Sequence, residues 1–320
     1  MKFRTETDIT PFTDKIGYEN RILALGSCFA DNISEILRQA KFRIVSNPTG
    51  VLFNPASIAQ TLHRFESGRK ATADELRESG GRCFGYDFHG SLAAETPEKA
   101  LENINAAIAA GHKALKECDR IIITFGTAWV YVLNETGQVV ANCHKQPASL
   151  FTRRRMTVDE TVGLFAPIIE NLSAEKKIIF TVSPVRHLGD GADGNFLSKA
   201  TLKLAIAELV ERYENAYYFP AYEILNDDLR DYRFYADDLV HPSTQAIEYI
   251  REKFFAAALS EEAKRLLPRV EKIVAAAAHR PQNPDSDNYR EFCRRTLEEI
   301  RALDGMDFTE EAALFASILQ

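Results

Sequence analysis

Long apolar runs are missing from this 320-residue chain, and nothing in it approaches the ~20 consecutive apolar residues that cross a bilayer. The opening segment, MKFRTETDITPF, carries no apolar signal core, which argues against secretion and for the cytoplasm. An excess of basic charge is missing too. Lys and Arg number 39 against 46 Asp and Glu, and a net charge of −7 offers no basic surface to a nucleic acid. Cysteine is sparse: Cys28, Cys83, Cys118, Cys143 and Cys293 are odd in number, scattered and without CxxC spacing. That excludes a disulfide framework and fits reduced thiols. No HxxxH or CxxC pattern points to a metal, and neither GxGxxG nor GxxxxGK[ST] is present to cradle a nucleotide, so no cofactor is expected. Internal repeats and low-complexity linkers are absent as well.

What is there is ordinary globular composition, 45% hydrophobic and 10% aromatic, arranged in a regular alternation. Short β-branched runs read as strands at Arg21–Leu25, Phe42–Ser46, Arg120–Phe125, Lys177–Val182 and Ala216–Pro220. Between them lie helical patterns at Phe29–Ala40, Ala56–Phe65, Pro97–Glu117, Val158–Leu172 and Leu197–Tyr213, with a last one at Ser243–Leu259. The stretch up to about Leu92 reads as an irregular excursion, and Trp129–Asn142 as a hairpin arm turning at Gly137. Fully apolar strands alternating with helices predict an α/β fold with a parallel sheet of roughly five strands covered on both faces. Beyond residue 258 the pattern turns wholly helical. The expected organisation is therefore a catalytic-type domain over residues 1–258 and a helical extension over 259–320, packed on that domain and able to form a homodimer.

Ligands of parallel sheets gather beyond the carboxyl ends of the strands. Here those positions hold Gly26-Ser27-Cys28, Asn47-Pro48-Thr49-Gly50, Gly126-Thr127-Ala128, Ser183-Pro184-Val185-Arg186-His187 and the segment Tyr222–His241. Asp238 and His241, three apart in one loop, let a carboxylate reach Nδ1 of the imidazole and leave Nε2 free to take a nucleophile's proton. The bland alternative is a loop histidine held at a helix start. Ser27 and Cys28 stand where a strand turns into a helix, a place where backbone N–H groups and the helix dipole favour negative charge. Their bland alternative is a Gly-Ser turn beside a small buried cysteine. Arg186 suits either an anion clamp or an ion pair with Glu223 or Asp227. His144 suits a structural contact or an anionic group.

Gly26-Ser27-Cys28-Phe29-Ala30 resembles the motif that names the GSCFA family, and SNPTGVLFNP (Ser46–Pro55), TFGTAWVY (Thr124–Tyr131) and SPVRH (Ser183–His187) look like its further blocks. The resemblance implies a three-layer α/β/α, flavodoxin-like fold of the SGNH, or GDSL-like, hydrolases, which act on small or carbohydrate-borne acyl groups. Asp238-Leu239-Val240-His241 then matches their Asp-x-x-His block. Aligned without a gap, Cys28 takes the place of the nucleophilic serine and Ser27 that of an aspartate; a one-residue shift seats Ser27 instead. The gapless register is preferred because strand end and helix start fix the length of the turn. The resemblance further implies an oxyanion hole from the Cys28 N–H, the Gly50 N–H and an Asn side chain near Gly126. Ala128 stands where that Asn belongs, so Asn47, Asn54, Thr127 and His144 are the substitutes to consider, with Arg186 and His187 on the same face. An esterase, thioesterase or acyltransferase is the expected activity. A catalytically silent module binding a small anion is the alternative.

Overall fold

Strand and helix starts follow local chemistry along most of the chain. In the computed structural model, which describes residues 4–283 and 286–319, β1 (Arg21–Gly26) leads into α1 (Cys28–Gln39), β2 (Arg43–Ser46) and α2 (Pro55–Ser67). The excursion that follows is not wholly irregular: β3 (Leu76–Ser79) and β4 (Arg82–Gly85) pair as an antiparallel hairpin. Then come α3 (Pro97–Glu117) and β5 (Arg120–Phe125). Thr96 caps α3 by accepting from the Lys99 N–H, with proline in the first turn where its missing N–H costs nothing.

A side sheet is inserted next, of β6 (Trp129–Leu133), β7 (Val139–Val140) and β8 (Phe151–Arg155). The sequence pattern anticipates only the first two. β8, FTRRR, shows no apolar alternation, and it forms because Trp129 to Leu133 pair with it residue by residue. The chain continues through α4 (Val158–Asn171), β9 (Lys177–Val182), α5 (Gly191–Arg212) and β10 (Ala216–Phe219). α5 starts six residues before the Leu197 expected from periodicity. Its first turn, GADG, reads as a loop, yet Gly194 packs without a side chain beneath Trp129, whose Nε1 donates to the Gly194 carbonyl at 3.2 Å. A short α6 (Ala221–Glu223) runs into a π-helical segment, Ile224–Leu229. Last come α7 (Thr244–Ala258), α8 (Glu261–Ala278), α9 (Asp287–Arg301) and α10 (Thr309–Ile318).

The central sheet is five-stranded and parallel, in the order β10-β9-β5-β1-β2. Counting sheet strands in chain order gives 2-1-3-4-5, the flavodoxin-like arrangement. On one face Ile22, Ala24, Ile122, Ile179 and Phe219 meet Phe29, Ile33 and Leu37 of α1 and Ile250 and Phe254 of α7. Val270 and Ile273 of α8, with Leu303 and Phe308, belong to the same cluster. On the other face Leu23, Leu25, Ile121, Ile123, Ile178 and Phe180 are covered by α2, α3, α4 and α5, through residues such as Leu62, Leu115, Phe165 and Leu202. Each of these large apolar side chains contributes about 2 kcal/mol by leaving water. The strand order reverses between β1 and β5, so a crevice opens at their carboxyl ends. Cys28 follows one strand and Gly126 the other.

Candidate active site

At the end of β1 the chain must turn within one residue to start α1. Gly26 does this at φ +137°, and a Cβ there would lie 2.1 Å from the Thr124 carbonyl oxygen. Only glycine fits. Ser27 takes the N-cap position with extended backbone, φ −68° and ψ 173°, but its side chain makes no capping bond. The hydroxyl is turned inward, buried, and has no hydrogen-bond partner among the described residues. The first-turn N–H groups of Cys28 and Phe29 are therefore left to the Cys28 sulfur, which both of them approach.

Across the crevice stands the loop between Asp231 and Ser243. It closes on itself through the Tyr235–Pro242 bridge and a bond from the Ala236 N–H to the His241 carbonyl at 2.8 Å. At its tip Asp238 Oδ1 accepts from the N–H groups of Val240 and His241, each at 2.9 Å, while Oδ2 lies 2.6 Å from His241 Nδ1. The bonds from His241 lead in holding the Asp238 carboxyl down at about 2, so it stays ionised and fixes the proton on Nδ1. Nε2 then faces Cys28, with Sγ 3.8 Å away. The chain of Asp238, His241 and Cys28 is continuous. Burial raises the thiol above its ordinary value and Asp31 adds to the rise; the two N–H groups and the charge of Lys199 act against them.

The remaining sequence-derived positions divide sharply. Asn47 is a brace: its Oδ1 accepts from the Gly26 N–H at 2.9 Å and its Nδ2 donates to Asp31 at 2.8 Å, tying the end of β1 to α1. Gly50 is not a free donor, contrary to the expectation. Its N–H is spent on the Asn47 carbonyl at 2.8 Å, and it is glycine because φ is +84° and a Cβ would strike His89. Thr127 Oγ1 is engaged with Ser198 Oγ at 3.1 Å and accepts from the Trp129 N–H. His144 lies on the excursion, stacked on Phe84 with Nε2 held by the carbonyls of Gly85 and Phe88. Arg186 pairs with neither Glu223 nor Asp227, which are taken by Lys203 and Arg230. Its guanidinium lies 4.0 Å from the Tyr235 ring centroid, its N–H donates to the Val240 carbonyl and its side chain reaches the Leu239 carbonyl. Arg186 is therefore a clamp on the Asp-His loop.

Asn54, by contrast, keeps a donor in hand. Its Oδ1 caps α2 by accepting from the Ser57 N–H at 2.9 Å, while Nδ2 donates to no described residue. The side chain is buried and lines a cavity of about 530 Å³. Gly126 and Thr127 both donate their N–H groups to the Phe53 carbonyl, which draws Phe53 and Asn54 against the end of β5. Gly126 also sits against Ser27, where an added Cβ would lie 3.2 Å from the Ser27 Cβ. The cavity wall continues through His187, Trp129, Tyr131 and Phe151, with Arg153 lying over the Trp129 and Tyr131 rings and paired to Asp190. His187 packs edge-on to Phe53. Burial first, and then the charges of Lys199, His241 and Arg153, push its imidazole down to about 4, so it is neutral at pH 7.

Lys199 is the residue that periodicity passes over. It lies in the buried stripe of α5 with Ser198, Leu202, Ala205 and Ile206, and a lysine in an apolar stripe was the available signal. Its Nζ donates to the carbonyls of Gly126 and Ser183, each at 2.7 Å, bridging the ends of β5 and β9. Burial lowers it to about 7. Among the described residues no group of three or more His, Cys, Asp or Glu is placed to hold a metal ion, and no helix is long and apolar enough to cross a membrane.

The family model described as GSCFA family matches residues 21–254, and that described as GSCFA domain protein, C-terminal domain matches residues 270–320. No curated protein matches the chain.

Proposed function

The chain belongs to the GSCFA family, and from the geometry at its strand ends we propose that it is a cysteine-dependent acyl hydrolase or acyltransferase of the SGNH type. One observation carries the reading: Cys28 Sγ lies 3.8 Å from His241 Nε2, whose other nitrogen is held by Asp238 at 2.6 Å. A nucleophile, a base and a group that orients the base are in line. The flavodoxin-like strand order supports the same placement, since the nucleophile turn lies at the switch point between β1 and β5.

In this reading His241 Nε2 accepts the Cys28 proton as sulfur attacks the acyl carbonyl. The carbonyl π pair moves to oxygen, where the Cys28 and Phe29 N–H groups at the start of α1 and Nδ2 of Asn54 are the donors. Collapse expels the leaving group, which takes the proton from His241, and leaves a thioester on Cys28. Water, or an acceptor hydroxyl in a transferase, then attacks that thioester and regenerates the thiol. Asn54 takes over the work of the Asn that Ala128 replaces, from the neighbouring loop. The aromatic-walled cavity beyond His187 holds the rest of a small-molecule or carbohydrate-borne acyl substrate.

The test is incubation with p-nitrophenyl acetate and a panel of acyl thioesters, followed by mass spectrometry of the quenched protein. An acyl group on Cys28, with turnover lost in Cys28→Ala and in His241→Ala, supports the proposal. Turnover that survives His241→Ala, or no acyl adduct with any donor, overturns it.

A further inference from the structure

Among the described residues Lys199 is the one lysine in the buried core, 2% exposed. A buried ammonium is costly unless well partnered, and here the partners are two main-chain carbonyls, not a carboxylate, so its charge is solvated but not cancelled. One of those carbonyls belongs to Gly126, the residue packed against Ser27 beside the nucleophile. The positive charge is thus linked through Gly126 to the turn that carries Cys28.

We propose that Lys199 is a positioning residue for the Cys28 chemistry: anchored on the ends of β5 and β9, its ammonium favours the thiolate form of Cys28 from the buried side of the site. The idea rests on Cys28 as the nucleophile, but its measurement needs no substrate. The titratable groups facing Lys199 are few. Cys28 approaches from α1, His187 from the loop after β9, and the Tyr222 ring from α6, its centroid 5.8 Å from Nζ. His187 is neutral above about pH 4, and burial raises the Tyr222 phenol, so neither changes charge near neutrality. Asp31 and His241 face Cys28 itself, the first opposing the thiolate.

The experiment follows iodoacetamide alkylation of Cys28 from pH 5 to 10, read by mass spectrometry of the Cys28 peptide. It is done in the His241→Ala protein, which removes the imidazole beside the sulfur. Lys199 is charged below about pH 7, while the thiol is raised above its ordinary value, so the expected profile carries a shoulder of extra reactivity below about pH 7 before the main rise, as coupled groups do. Adding Lys199→Met should remove the shoulder and leave a single one-proton curve, with alkylation about tenfold slower below pH 7 and little changed above it. A profile without the shoulder in His241→Ala overturns the proposal, and so does a shoulder that survives Lys199→Met. If Lys199→Met does not fold, the His241→Ala profile decides alone. Failure here leaves the acyl-enzyme test untouched, because that test reads an adduct and this one reads a thiol.

Discussion

Replacing Ser27 by alanine separates two opposed rules about the same residue. An N-cap serine normally accepts a first-turn N–H, and its loss costs about 1 kcal/mol. In this protein Ser27 caps nothing, and its hydroxyl is buried without a partner at 1% exposure. An unpaired buried hydroxyl costs about 1–3 kcal/mol. Taking away one oxygen leaves a void of less than a methyl group, worth about 0.5 kcal/mol at the usual cost per unit of cavity volume. The balance favours alanine by about 1 kcal/mol, opposite in sign to the capping rule. In urea unfolding the midpoint of Ser27→Ala should move up with an unchanged slope. Turnover and Cys28 alkylation should both persist, because His241 faces the next residue. A loss of 1 kcal/mol or more would mean that the hydroxyl has a partner after all. Turnover lost in Ser27→Ala but kept in Cys28→Ala would place the nucleophile one residue earlier and refute the reasoning.

Three further outcomes follow from the same geometry. Gly26→Ala should cost more than about 3 kcal/mol, or prevent folding, because its φ of +137° and the Thr124 carbonyl leave no room for a Cβ; chemical denaturation reads it. Asn54→Asp should keep the α2 cap and the melting temperature while lowering kcat about a hundredfold, since only the Nδ2 donor is lost; steady-state kinetics beside a thermal melt separates the two. Lys199 is held at about 7 against an ordinary lysine value of 10.5, so between those limits the unfolded chain binds more protons. The stability of the parent relative to Lys199→Met should therefore rise with pH from about 7 upward. Paired urea melts at pH 6 and pH 9 test the direction.

Much of the architecture is legible before folding is considered. β1, β5 and β9 are apolar on both faces and flanked by helical patterns, which states a covered parallel sheet outright. The Asp-x-x-His spacing is legible for a local reason: three residues of one loop are enough for Asp238 to reach both the imidazole and the backbone N–H of His241. β8 is not legible, because three arginines in a row carry no alternation and only pairing with Trp129 to Leu133 makes them a strand. The fate of Gly50 is hidden as well, since whether an N–H points at a ligand or closes its own turn depends on ψ angles that composition does not reveal. Arg186 has three tenable partners in the sequence and finds a fourth, the ring of Tyr235, because the returning loop lies across it.

By itself the sequence determined the sheet, its covered faces and the short list of reactive residues at the strand ends, because hydrophobic periodicity and residue chemistry are local properties. Tertiary structure alone decided which of two neighbours meets His241. At the start of a helix successive side chains diverge by ~100°, so Ser27 is turned into the protein and Cys28 out toward His241. It also decided that a lysine from α5, a helix the sequence assigns only to packing, would bridge the Gly126 and Ser183 carbonyls at the ends of β5 and β9. Such a convergence needs β5 and β9 side by side with α5 laid across them, and no spacing along the chain encodes it.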